Sequence, residues 1–238
     1  MTKIYKSLLA VLIAVMFATS QVLAGGVTVG VIGNLATFDT DGSETEGGLH
    51  ISGGPIVSDM EVTKKSVSED VEFPSFFVEF NSDLMMDHLG LNIGFEYIPG
   101  ATELGAQSRT DANTISTDDG TYTAKAEAEH YMSVYVEPTL MFNENIGIYG
   151  KAAISRITIK SLESIDNGGD SSAYGDKGIL GGTIGVGLRG QLGFFVAKLE
   201  AAKTEYESIS LRSTSGNRNL ITADTEQEAV RLSLGLNF

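Results

Sequence analysis

The stretch Glu228–Phe238 reads EAVRLSLGLNF. Val230, Leu232, Leu234, Leu236 and Phe238 share one register and are all large and apolar, whereas Ala229, Arg231, Ser233, Gly235 and Asn237 between them are small or polar. With apolar residues at 42% of the chain, five apolar hits in one register arise by chance roughly 1% of the time. Successive side chains of a strand point to opposite faces, so the segment predicts a strand with one oily and one polar face.

The pattern returns upstream. In LGLNIGFEY, Leu89, Leu91, Ile93, Phe95 and Tyr97 oppose Gly90, Asn92, Gly94 and Glu96. Around Gly181–Arg189, the residues Gly182, Ile184, Val186 and Leu188 oppose Gly181, Thr183, Gly185, Gly187 and Arg189. Weaker alternation covers Val27–Phe38, Ser75–Asn81, Thr123–Phe142, Ile146–Lys160 and Phe194–Thr204, which makes eight expected strands. Short connections (NSDLMMDH, NEN, and Gly190–Gly193) alternate with long ones near 39–72, 100–122, 161–178 and 205–227. An even number of antiparallel strands, with short turns at one end and long loops at the other, is the layout of a transmembrane barrel. Closure pairs every backbone group, as the lipid interior requires. The polar register is mostly Gly, Ser, Thr and Asn, which suits a cramped lumen and would make a poor hydrophobic core. The expected fold is therefore all-β: an eight-stranded antiparallel transmembrane barrel over residues 25–238, preceded by a signal peptide over 1–24.

The N-terminal stretch supports export. Lys3 and Lys6 precede an apolar run from Leu8 to Ala18, and Val22 and Ala24 supply the small residues of a cleavage site between Ala24 and Gly25. An uncleaved anchor is the alternative, but Thr19, Ser20 and Gln21 interrupt the run short of the roughly 20 apolar residues a spanning helix needs. Loss of Lys3 and Lys6 takes the net charge from −15 to −17. So acidic a chain would repel nucleic acid. The absence of cysteine excludes disulfides, thiolate metal sites and a cysteine nucleophile.

With the signal peptide, the eight alternating strands and RLSLGLNF ending in Phe238, the chain resembles small Gram-negative outer-membrane barrels of the OmpA-transmembrane-domain, OmpX and OmpW type. Only the barrel half of OmpA enters the likeness. The resemblance implies that Leu232, Leu234, Leu236 and Phe238 form the signal read by the barrel-assembly machinery. It implies residence in the cell outer membrane as a monomer, with membrane lipid and lipopolysaccharide as neighbours and no cofactor. The chain lacks Trp, so Tyr97, Tyr135, Phe142, Phe194 and Phe195 are expected to form the interface belt. Pro138 has no N–H for a closed sheet and is expected at a bulge.

The four long connections hold 21 acidic and 6 basic residues, so nearly all the net charge is expected in outward loops. These loops read as solvated surface. A sharper alternative is cation binding by Asp39, Asp41, Glu44 and Glu46 in DTDGSETE, which lacks the spacing of an EF-hand. Within the strands, Glu79, Glu96, Glu137, Lys151, Arg189, Lys198, Glu200 and Arg231 fall on the inward register. Burial demands pairing, and Glu137 with Lys151 and Glu200 with Arg231 lie on neighbouring strands at similar heights. These residues make either a plug of ion pairs or a narrow polar conduit. The expected role is structural or surface-presenting. The alternative is a narrow channel for small or apolar solutes, with a lipid-modifying enzyme third. A hydrolase would need a histidine base, and His50, His88 and His130 sit in a loop, in a turn and on an apolar register.

Overall fold

The computed structural model describes residues 26–45, 62–82, 88–111, 120–165, 172–212 and 220–238. The expected signal peptide, its Ala24–Gly25 cleavage point and His50 lie outside these residues. Nine strand segments follow one another: β1 Val27–Thr45, β2 Val62–Asn81, β3 Leu89–Asp111, β4 Gly120–Met141, β5 Ile146–Ile165, β6 Ser172–Leu192, β7 Phe195–Tyr206, β8 Ile209–Arg212 and β9 Leu220–Asn237. Each pairs antiparallel with its neighbour, and β1 closes on β9 from Thr28↔Asn237 to Thr45↔Leu220. Segments β7 and β8 both pair with β9 and form one stave, broken at Glu207 and Ser208. The result is a closed eight-stave antiparallel barrel.

The staves run much further than alternation alone indicates. Residues 39–45 and 62–72, expected in a loop, are wall, and so are 100–111, 161–165, 172–178 and 220–227. Asp39, Asp41, Glu69, Asp70, Glu72, Glu103, Asp176, Glu205, Asp224 and Glu226 therefore lie on strands, not in loops. Asp39, Asp41 and Glu44 of DTDGSETE are part of this correction, and Glu46 lies outside the described residues. Asp39 and Asp41 stand on the outer face of β1, where Asp41 accepts a hydrogen bond from Ser66 at 2.5 Å.

The reason the pattern fades is that it inverts. Near the short turns the outer face is apolar, with Val29, Val31, Leu35, Phe76, Phe80, Ile184, Leu188, Val230, Leu232 and Leu234 exposed. The facing interior is polar, with Thr28, Asn34, Ser75, Ser133 and Ser155 buried. Further along the same staves the interior becomes apolar: Phe38, Ile157, Ile159, Ile179, Tyr206, Ile209 and Leu211 form one buried cluster. The outer face there carries Asp39, Asp70, Lys203 and Glu228. The outward apolar register runs over Leu89–Tyr97 on β3 and Met132–Leu140 on β4, where Phe95, Tyr97, Met132, Val134 and Leu140 are exposed and Leu91 packs with Val136. Each stretch matches the ~9–11 residues a tilted strand needs to cross a bilayer.

Two expectations about single residues are corrected. Pro138 pairs with Leu91 of β3 and sits at no bulge. On its other side the β4–β5 ladder omits Glu137 and Pro138 and resumes in the same register at Thr139↔Tyr149, so the missing N–H costs one ladder bond rather than a kink. Tyr135 is not in the interface belt; it is fully buried inside the barrel. Tyr97, Phe142, Phe194 and Phe195 are exposed as expected.

Candidate functional site: the charge network of the lumen

Inward alternation on seven staves brings all eight expected lumen residues together. Glu79, Glu96, Glu137, Lys151, Arg189, Lys198, Glu200 and Arg231 are each at most 6% exposed. Four carboxylates face two ammonium and two guanidinium groups, so the formal charges cancel. Lys198 Nζ bridges Glu79 and Glu137 at 2.7 Å each. Arg189 pairs with Glu79 and reaches Asn81 Oδ1 at 3.2 Å. Lys151 lies 3.4 Å from Glu200 and 3.6 Å from Glu137. Arg231 donates to Glu96, to Glu200 at 2.9 Å and to Asn34 Oδ1 at 2.7 Å. Both expected pairs, Glu137 with Lys151 and Glu200 with Arg231, are present within a continuous chain of contacts.

Aromatic rings close the remaining space. Tyr135 donates to Glu79 at 3.3 Å and Tyr149 to Glu200 at 3.0 Å. Lys151 Nζ sits 4.2 Å from the Tyr135 ring centroid, and Lys198 Nζ 5.3 Å from that of Phe77, geometries in which the ring face attracts the cation. Two glycines make room for these rings. A β-carbon at Gly94 would overlap the Tyr135 ring, and one at Gly187 would lie 2.5 Å from Tyr149 Cζ. Asn34, Ser75, Phe77, Tyr135 and Tyr149 complete the network and were not expected from sequence. The signal was available for Tyr135 and Tyr149, which share a register with Glu137 and Lys151 respectively.

The histidines stand apart from this cluster. His88 occupies a turn with φ 74°, and His130 lies at φ 53° in a β4–β5 register shift, with its side chain 71% exposed. His130 Nδ1 is 3.6 Å from Glu129. Among the described residues, no three His, Asp or Glu side chains are grouped to hold a metal ion.

Beyond the charge network the lumen holds two adjoining spaces. One of about 40 Å³ lies against Glu96, Arg231 and Asn34. The other, of about 250 Å³, is lined by part of the apolar cluster together with Thr40, Lys65, Lys125, Ser161 and Thr225. Phe38 and Leu104 line both.

No protein-family model and no curated protein matches the chain. Solved structures similar to it include Ail, the attachment invasion locus protein of Yersinia pestis, at 12% identity and TM-score 0.36, covering 87% of this chain and 98% of that one. The translocator domain of the autotransporter NalP from Neisseria meningitidis is 13% identical with TM-score 0.38, covering 100% and 97%. Neisserial surface protein A is 7% identical with TM-score 0.27, covering 82% and 95%.

Proposed function

We propose that the protein is an integral outer-membrane barrel whose inner half is sealed and whose acidic outer half stands in water, with a structural or surface-presenting role. The observation that carries this reading is the polarity inversion along the staves. Outward apolar side chains concentrate where the interior is charged, and inward ones where the outer surface is acidic. A barrel wholly in water would keep its apolar residues inside along its full length, and lipid around one half supplies the reason for the reversal. The charge network ties seven of the eight staves together across the lumen, and in this reading it serves as a plug, as the narrow bore of eight strands allows. Its partners are outer-membrane lipid, lipopolysaccharide and, during insertion, the barrel-assembly machinery; the barrel acts as a monomer.

The reading is non-enzymatic, with His88 and His130 exposed away from the buried carboxylates. Planar-bilayer recording tests it, and no stepwise conductance is expected from the purified protein. Steady ion currents that change on replacing Arg231 or Glu200 would establish the polar conduit instead. A second reading, passage or binding of small apolar solutes, is favoured by one observation, the apolar chamber above the network.

A further inference from the structure

The wall of the barrel is not continuous. Strands β2 and β3 are 20 and 23 residues long, yet they pair over six residues only, from Asn81↔Asn92 to Phe76↔Tyr97. Extending that register places Pro74 directly opposite Pro99. Neither can donate a ladder hydrogen bond, so two opposed prolines end the pairing. Gly100, at φ 90°, follows at once. Beyond this point each of the two strands still pairs with its other neighbour, β1 or β4, but among the described residues not with the other. The split opens low in the wall. Gly33 pairs with Pro74, and the exposed apolar face of β1 continues two residues further, to Leu35 opposite Glu72. Its lower end is therefore at the height of the lipid-facing belt.

Directly inside the split lies the smaller lumen space, lined on that side by Ile98, Gly100 and Thr102 of β3. It adjoins the 250 Å³ chamber, which Phe38, Ile159, Ile209 and Leu211 line on apolar sides and Lys65 and Lys125 also line. Protein interiors hold few voids larger than a water molecule, and an apolar cavity of about 150 Å³ already accepts benzene. One polar atom is left over at the floor. Glu96 is 1% exposed, and its Oε1 accepts from Arg231 and from Ser75, whereas its Oε2 has no hydrogen-bond partner. A buried acceptor without a donor requires an explanation, and this carboxylate lines the smaller space.

We infer that the outer half of the barrel binds a small lipophilic molecule bearing one hydrogen-bond donor, such as a phenol or a medium-chain alkanol, which enters from the membrane through the Pro74–Pro99 split. The apolar body occupies the chamber, the donor reaches Glu96 Oε2, and the charge network forms a closed floor. The barrel is then a dead-end receptor for membrane-dissolved molecules rather than a channel. This inference rests on the outer-membrane reading, which insertion into lipid nanodiscs and heat-modifiable migration test separately before any ligand is added.

The decisive experiment is fluorine NMR of the nanodisc-embedded protein with 4-fluorophenol and with fluorobenzene as probes. A bound resonance that saturates at one probe per barrel is expected. Referenced to the bilayer-dissolved pool, the phenol should bind about tenfold or more tightly, the worth of a hydrogen bond to a charged acceptor. Ala223→Phe fills the chamber and should abolish the bound signal while the barrel still migrates as folded. Pro74→Val with Pro99→Val should zip the wall, seen as slowed amide exchange of residues 98–104, and slow probe exchange at least tenfold. If that pair of changes fails to zip the wall, a disulfide between Val71→Cys and Thr102→Cys, in a chain with no other cysteine, closes the same gap. Absence of a bound resonance, its survival in Ala223→Phe, equal affinity for the two probes, or unchanged exchange in the closed wall would overturn the proposal.

Discussion

Lys198 shows how single residues hold the lumen together. Its ammonium is the shared partner of Glu79 and Glu137, between the rings of Phe77 and Tyr149. Without it Glu79 retains Arg189, but Glu137 retains only Lys151 at 3.6 Å. Breaking one partner out of a buried pair costs about 3–5 kcal/mol, because the other charge stays buried. Lys198→Met should lower the urea unfolding free energy in lipid by that order, and adding Glu137→Gln should return more than half of it. Simple addition of the two losses would show that the residues do not act as a pair. Gly94→Ala should destabilise for a different reason, by pushing the Tyr135 ring away from Glu79. The charged members of the network were legible in the sequence because a charge within an alternating strand has only the lumen to enter. Tyr135 was assigned by residue type to the interface belt, although its place two residues before Glu137 puts it on the inward register. The seat made by Gly94 is what gives its ring room there.

At the scale of elements, β9 is where sequence and structure agree most closely. Its outward Val230, Leu232, Leu234 and Leu236 are all exposed and its inward Arg231 and Ser233 buried. Phe238, 77% exposed, joins the barrel seam through backbone hydrogen bonds with Val27. Deleting Phe238 should therefore reduce folded barrel in the membrane more than deleting several residues from 46–61, as heat-modifiable migration would report. Equal membrane levels for the two variants would contradict this. The outer parts of the staves behave differently, because their charges pair across the wall in water. Lys125 lies 2.9 Å from Glu103 and 2.8 Å from Glu127, and Lys160 lies 2.8 Å from Glu129. Hydrogen bonding to Lys125 holds the Glu127 carboxyl below its ordinary range, and hydrogen bonding to Glu127 and Glu103 pushes the Lys125 ammonium up. A lowered carboxyl stabilises above its unfolded value and loses that contribution in acid; a raised ammonium stabilises below its unfolded value and loses it in strong base. Amide protection, corrected for intrinsic exchange, should therefore be flat around residues 125–127 from about pH 5 to 10 and fall outside that window. These outer staves escaped sequence reading for a physical reason. With inward Phe38 following outward Val29, Val31 and Leu35, the apolar register changes parity mid-strand, and a search for one unbroken alternation stops there.

The parity change is also what fixes the whole molecule in its surroundings. A barrel with one inside and one outside would need a single rule for its interior, whereas this one follows two. Part of the acid excess read from composition is carried by the outer staves, and this negative surface stops where the apolar belt starts. On β1 and β9 the change is abrupt: Leu35 pairs with Val230, both more than half exposed, and one outward step further Thr37 pairs with Glu228. The boundary between lipid and water should lie between those two pairs. Because the chain contains no cysteine, each position can be marked by a single substitution. In intact outer membranes, a water-soluble maleimide should label Thr37→Cys and Glu228→Cys at least tenfold faster than Leu35→Cys and Val230→Cys, since the thiolate must meet the reagent in water. A membrane-dissolved maleimide should reverse the order. Equal rates at all four positions would mean that the belt is not in lipid, and the explanation for the inversion would fail with it.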